Sequence, residues 1–261
     1  MMREELAPAN ITQQLPTILM GSSVVSLETA SSTMDVAHAE ANRGAPEGTL
    51  VIAEIQTAGR GRFMRSWISK PGESLNFSIL VRPTTQETHR INMAASLAIV
   101  RAVEKITQLR SSIKWPNDIQ ISGKKLAGIL IESQLDHDGN SYTVVGIGIN
   151  VNFDPSSTLH VDQKTTSLKL ELDQTVSRLA LLRNLLEQFD RLYRKIRCGC
   201  SILSEWLPYV GTLGQQIEVR WGNQSEKGIA RTVDEDGSLI LERLNGSKVS
   251  LPAGEVTIRT Q

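Results

Sequence analysis

Within residues 56–74 the chain carries Gly59-Arg60-Gly61-Arg62-Phe63-Met64-Arg65-Ser66-Trp67. Glycines let a backbone bend close to a ligand, and guanidinium forks match carboxylate and phosphate oxygens bidentately. A Trp at the end of such a loop suits stacking on a purine or on the apolar part of an acyl adenylate. A solvated basic turn or an RG-type RNA contact fits the same residues equally well. A second group is Lys114-Trp115-Pro116-Asn117-Asp118, followed by Gly123-Lys124-Lys125-Leu126-Ala127-Gly128-Ile129-Leu130. Pro116 and Asn117-Asp118 mark a turn leaving a strand. Lys125 stands where the next apolar strand begins, a place that holds a cation rigidly beside buried surface. Gly128 weakens that strand and suggests close approach by a ligand or another backbone. In Gly146-Ile147-Gly148-Ile149-Asn150 the two glycines, spaced by two, open one face of a strand. A β-bulge accounts for any one of these glycines alone, but less readily for glycines grouped with arginines and a lysine.

The elements that must position these residues follow from periodicity. Strands are expected at 24–27, 49–55, 75–81, 112–114, 126–133 and 142–150. Leu75, Phe77, Ile79 and Val81 alternate, and the sequence at 136–140 is a hairpin turn. Ser31-Ser32-Thr33 is a helix N-cap cluster. Apolar spacing gives helices over 90–109 and 176–196, the second with one continuous stripe. Residues 1–22 carry no period and are expected to be loosely held. After Pro208 five short β segments (216–221, 227–234, 238–244, 248–251, 255–258) suggest a small barrel. The expected organisation is a leader at 1–23, a mixed-sheet α/β (α+β) domain at 24–210, and a β-barrel at 211–261.

Composition bounds the function classes. The 261 residues hold 28 Lys+Arg against 28 Asp+Glu, so formal net charge is zero, and eleven are aromatic. That balance disfavours a protein that coats nucleic acid or anionic membrane. The best apolar stretch, 93–100, is too short to span a bilayer, and no signal peptide is visible. Cys198 and Cys200 are too close to bridge, so a reducing cytoplasm is expected. The four histidines show no ligand spacing for structural zinc.

Taken in order, the motifs resemble those of biotin protein ligases over about residues 24–259. The matching pieces are Ser32-Thr33 before a helix, Gln56-Thr57-Ala58-Gly59-Arg60-Gly61-Arg62, Trp67, Lys114-Trp115-Pro116-Asn117-Asp118, Lys125 to Glu132, and Gly146 to Asn150. Gly228-Ile229-Ala230 to Leu241 and Gly254 to Arg259 are similar to that family's terminal β-barrel. The resemblance implies two steps, with magnesium. Biotin and ATP give biotinyl-5′-adenylate and pyrophosphate, and biotin then passes to one lysine of the biotin carboxyl carrier protein of acetyl-CoA carboxylase. It also implies roles. Lys125 would bridge biotin carboxylate and α-phosphate, and Arg60 and Arg62 would hold the adenylate, with Gly61 in the same loop. Ser32, Thr33 and Gln56 would read the ureido ring, and Gly128, Gly146 and Gly148 would leave a trough for the thioether ring and valeryl chain. Arg65, Trp67 and Asn150 fall at the adenylate, and Lys114, Asn117 and Asp118 near the reacting centre. Asp118 is a candidate to position the incoming amine, or simply a turn-capping carboxylate. Arg259 either reaches ATP phosphates or is a solvated surface residue.

Met34 stands where the family often has Asn, and Phe63-Met64 where a Gly is common, which points to a stiffer, more apolar loop. Some family members repress transcription through an N-terminal helix-turn-helix. Only 31 residues precede Ser32, too few for three helices of about 11 residues plus turns, so DNA binding is not expected. The rivals are a lipoate or octanoate ligase or transferase on the related fold and, less favoured, an RNA-binding module. A homodimer through a sheet edge is compatible with the class.

Overall fold

The computed structural model describes residues 4–154, 164–221, 224–253 and the backbone of 257–260. Seven strands form one mixed sheet: β1 (Val24–Ala30), β2 (Leu50–Gln56), β3 (Ser74–Val81), β4 (Ser112–Lys114), β5 (Asp118–Ile121), β6 (Lys124–Leu135) and β7 (Ser141–Asn150). Their order is β1-β2-β3-β7-β6-β5-β4. Among the strand pairings of the described residues only β1–β2 is parallel, and α2 (Thr33–Asn42) makes that crossover.

β3 shows how the sequence divides the sheet into two faces. Leu75, Phe77, Ile79 and Val81 join the main core with the apolar stripes of α3 (Thr85–Thr107) and α5 (Arg178–Arg197). Ser74, Asn76 and Ser78 point the other way, yet they are also buried. Three polar residues on a covered face require partners, and the candidate site lies there. α2 covers part of that face through Met34, Ala37 and Ala41, packed on Val51, Leu80 and Val144. Helix α3 starts five residues before the expected 90 because Thr84 and Glu87 form a capping box, with Thr84 N–H donating to Glu87 at 2.7 Å.

Three expectations are corrected. The leader is not loosely held. Pro8–Thr12 form a short helix, α1, and Leu6, Ile11 and Met20 are buried. The buried Asp190 carboxylate accepts the backbone N–H groups of Ile18, Leu19 and Met20 at 3.2, 2.7 and 3.1 Å. Three apolar residues so widely spaced anchor a segment without leaving any period to read. Secondly, Asp118–Ile121 is an additional strand, closed onto β6 by a tight turn with positive φ at Ser122 and Gly123. At four residues it is too short for alternation to announce it.

The third correction concerns the C-terminal module. Strands β8 (Gln216–Trp221), β9 (Gln224–Val233), β10 (Leu239–Glu242), β11 (Lys248–Leu251) and β12 (Thr257–Thr260) form an open antiparallel sheet, β11-β10-β9-β8-β12. Among the described residues no pairing joins β11 to β12, so the barrel does not close. A Cβ on Gly228 of β9 would run into the carbonyl of Glu242, so only glycine lets β10 approach there. The module is tied to the main sheet through Trp115. Its backbone N–H donates to Thr212 Oγ1 at 2.9 Å, and its indole N–H to the Gly237 carbonyl at 2.9 Å. The Lys114–Asp118 motif therefore spends its tryptophan on packing. Among the described residues α4 (Leu168–Leu172) and α6 (Leu203–Trp206) are two further short helices. No helix among the described residues is long and apolar enough to cross a membrane.

Candidate functional site

The first turn of α2 gathers the polar side chains expected to read a ligand ring. Ser32 is the N-cap, its hydroxyl accepting from Met34 N–H at 3.3 Å. Gln56 Oε1, at the end of β2, accepts from Thr33 N–H at 2.8 Å and from the Thr33 hydroxyl at 3.2 Å. That hydroxyl also meets Ser78 Oγ at 2.8 Å. Ser78 is a member of this group that motif reading missed.

The arginine loop is a compact hairpin. Gly61 N–H donates to the Arg65 carbonyl at 2.7 Å, and Trp67 N–H to the Gly59 carbonyl at 2.8 Å. A Cβ on Gly59 would sit 2.6 Å from the Trp67 carbonyl oxygen, which is why glycine stands at the stem. At the tip, half-exposed Phe63 takes φ 56°, ψ 37°, a left-handed conformation uncommon for a bulky residue. Arg65 is exposed. The other two arginines diverge. Arg62 Nη1 donates to Asn117 Oδ1 at 2.9 Å, and Asn117 Nδ2 to the Ile129 carbonyl at 2.9 Å. Burial lowers the Arg62 pKa, with Arg65 adding to the effect and the Asp118 carboxylate opposing it. Arg60 turns to the far side, onto Asp35 Oδ1 at 2.6 Å and Glu132 Oε2 at 3.3 Å. Burial works against its charge, but those carboxylates outweigh it and raise the pKa.

Beneath the loop, Trp67 lies over the glycine-bearing strands. A Cβ on Gly148 would overlap the indole, and one on Gly128 would meet it at 3.5 Å. The indole N–H donates to Asn76 Oδ1 at 2.8 Å. A Cβ on Gly146 would overlap the Met34 thioether. The three glycines thus open the sheet face as expected, and Trp67 and Met34 cover it. Lys125 Nζ is 2.7 Å from Asp118 Oδ1 and 5.9 Å from the centroid of the Trp67 ring. Asp118 of β5, Gly128 of β6 and Gly148 of β7 stand side by side across the sheet, while Lys125 pairs with Gln120 beyond a register shift between Ile119 and Gln120.

Other expected residues are placed differently. Asn150 is buried and donates to the Thr166 carbonyl at 3.1 Å, holding the segment whose Lys164 carbonyl accepts from Lys125 N–H. Lys114 pairs through its backbone with Asp118. Arg259 lies on β12 opposite Glu218, and its side chain is outside the described residues. Asn76, Asp35, His38 and Glu132 complete the site region, although none was assigned a role from sequence. Among the described residues no three metal-ligating side chains converge. A surface cleft of 440 Å³ lined by Ile106, Gln108, Leu172 and Val176 contains none of the expected site residues.

Comparison with known proteins decides among the rivals. Residues 26–152 match the model of the biotin/lipoate A/B protein ligase family, and residues 212–259 match the biotin protein ligase C-terminal domain. The bifunctional ligase/repressor BirA of Bacillus subtilis is 36% identical over 249 residues, covering 94% of this chain and 77% of that protein. The chain belongs to the biotin protein ligase family. The biotin–[acetyl-CoA-carboxylase] ligase of Mycobacterium tuberculosis is 31% identical over 240 residues, covering 88% of this chain and 86% of the other. The biotin protein ligase of Aquifex aeolicus, solved with biotin and ATP, superposes with a TM-score of 0.77 at 25% identity. That match covers 92% of this chain and all of the other. Both segments of a biotin protein ligase are therefore present, the mixed-sheet domain and the C-terminal sheet.

Proposed function

We propose that the chain activates biotin with ATP and transfers it to a lysine of a biotin carboxyl carrier protein, that of acetyl-CoA carboxylase. The observation that carries this reading is the meeting of Lys125, Asp118, Arg62, Asn117 and Trp67 over strands opened by Gly128 and Gly148. In the first step a biotin carboxylate oxygen attacks the α-phosphorus, and the bond to pyrophosphate breaks. Two anions must approach, so fixed cations aimed at the reacting oxygens lower the barrier without a covalent nucleophile. Lys125 supplies one cation, oriented by Asp118. Arg62, braced by Asn117, supplies another. In the second step the carrier's lysine nitrogen attacks the acyl carbon, and AMP leaves. Asp118 would orient that amine beside Lys125.

Ser32, Thr33 and Gln56 would bind the ureido ring, with Ser78 as an added partner. Trp67 would move from Gly148 to cover the valeryl chain or the adenine, and Asn150, Arg65, Lys114, Gly61 and Arg259 would border the adenylate. Magnesium would enter with the nucleotide rather than on a set of protein carboxylates. Magnesium ordinarily travels with nucleotide phosphates and keeps several of its waters. The expected compartment is the cytoplasm.

The test is biotin-dependent release of pyrophosphate from ATP, which should require the full chain. Release that does not depend on biotin, or no release at all, would remove the reading. The trough carries its own prediction. Gly148→Ala should drive the indole off the sheet and raise the KM for biotin by about tenfold with a small change in Tm. An unchanged KM would show that biotin does not use this face.

A further inference from the structure

The family's chemistry leaves one cluster unexplained. Arg60 lies on the same hairpin as Arg62 but is held by two carboxylates on two other elements. Asp35 is in the first turn of α2, where its other oxygen accepts from Ser31 Oγ at 3.0 Å. Glu132 is on β6, and the Oε2 that accepts from Arg60 is also 3.0 Å from His38 Nε2. His38 Nδ1 lies 3.0 Å from the Tyr142 hydroxyl, which donates to Gln134 at 3.2 Å. Glu132 is therefore held from behind by His38 of α2, itself in contact with Tyr142 of β7, and Asp35 by Ser31, so each Arg60 partner has a contact that does not involve the loop. Arg62–Asn117 fastens the hairpin on one side of the trough, and Arg60–Asp35–Glu132 fastens it on the other.

We propose that Asp35 and Glu132 are positioning residues that latch the arginine loop over the site through Arg60, and so set how long the activated intermediate is kept from water. They touch no reacting atom. The Arg60 side chain is 22% exposed and its partners 47% and 30%, so each contact is individually weak and reversible. A loop that must admit substrate and later a carrier lysine needs a latch of this strength rather than a buried one. Asp35 also ties the loop to the helix turn that carries Ser32 and Thr33, so a displaced helix end weakens the latch. The retention of adenylate rests on the ligase reading; the loop anchorage does not.

The experiment compares the full-length wild type with Asp35→Asn, Glu132→Gln and the double variant. In the first arm, without ligand, trypsin cleavage after Arg60, Arg62 and Arg65 is mapped by mass spectrometry, since cleavage tracks the population of the open loop. The double variant should be cut there about tenfold faster, each single variant less so, and Asp35→Glu at near the wild-type rate. In the second arm, with biotin, ATP and magnesium but no carrier, first-turnover pyrophosphate release should stay within about twofold. Steady AMP release, which reports escaped and hydrolysed adenylate, should rise about tenfold. Unchanged cleavage in the double variant overturns the latch. So does faster cleavage everywhere with a matching fall in Tm, which would make the cluster merely structural. A wild type that forms no adenylate would refute the ligase reading, while the trypsin arm would still decide the latch.

Discussion

Lys125→Met should reduce biotin-dependent pyrophosphate release by at least about 100-fold while leaving the fold intact. Loss of one preorganised charge-stabilising group at a reacting oxyanion costs roughly 10²–10³ in rate. Met keeps the length of the side chain and its packing beside Trp67 and removes only the ammonium. The Lys125–Asp118 pair is partly exposed, with Lys125 at 37%, so its loss costs little stability. The released Asp118 carboxylate would add one uncompensated negative charge where biotin carboxylate and phosphate must meet, which deepens the defect. Lys125→Arg should restore only part of the rate, because a planar fork does not replace a point charge between two oxygens. The check is first-turnover pyrophosphate release at saturating biotin, with Tm measured alongside. A near-normal rate in Lys125→Met would place the charge bridge elsewhere.

Arg178→Met should be strongly destabilising. Arg178 and Glu54 are both buried and form two parallel hydrogen bonds of 2.8 Å. Arg178 Nη1 also donates to the Ser74 carbonyl, and Nη2 reaches Glu5 at 3.3 Å. Burial alone would lower the Arg178 pKa, but Glu54 and Glu5 outweigh it and the guanidinium is held charged. Removing one partner of a buried pair leaves the other charge without compensation, at about 3–5 kcal/mol. In a chain of this size that corresponds to a fall in Tm on the order of 10 °C. The effect should reach the site, because Glu54 Oε2 accepts from Gly72 N–H at 3.0 Å, near the end of the segment carrying the arginine loop. Arg178→Met combined with Glu54→Leu should recover much of the stability, since no buried charge is then left alone. Urea unfolding of both variants is the check; equal losses in the single and double variants would assign the cost to packing instead.

The contrast between these two residues shows what was legible in the sequence. Lys125 stands in a run whose glycines, proline and cations are uncommon together, so its chemistry could be read without a structure. Arg178 and Glu54 are 124 positions apart in elements whose apolar pattern gives no hint of an ion pair. The same applies to the latch. Arg60 was visible as part of a motif, but Asp35, His38 and Glu132 converge on it only once α2 lies against β6 and β7. Asn76 and Ser78 had a signal that went unused: polar residues alternating with Leu75, Phe77 and Ile79 on a strand covered on both faces. The barrel was expected from strand count and hairpin turns, which give antiparallel neighbours but do not say whether the first and last strands meet. The leader carries no readable period because Leu6, Ile11 and Met20 are widely spaced, and because Asp190, which collects the N–H groups of Ile18, Leu19 and Met20, stands some 170 positions further along the chain.

The central claim is that one chain both activates biotin and delivers it. The most direct measurement is intact mass of a purified carrier domain incubated with the chain, biotin, ATP and magnesium. The carrier should gain the mass of one biotinyl group on a single lysine, dependent on biotin and ATP and lost with Lys125→Met. No mass gain across several carrier domains, together with absence of biotin-dependent pyrophosphate release, would contradict it.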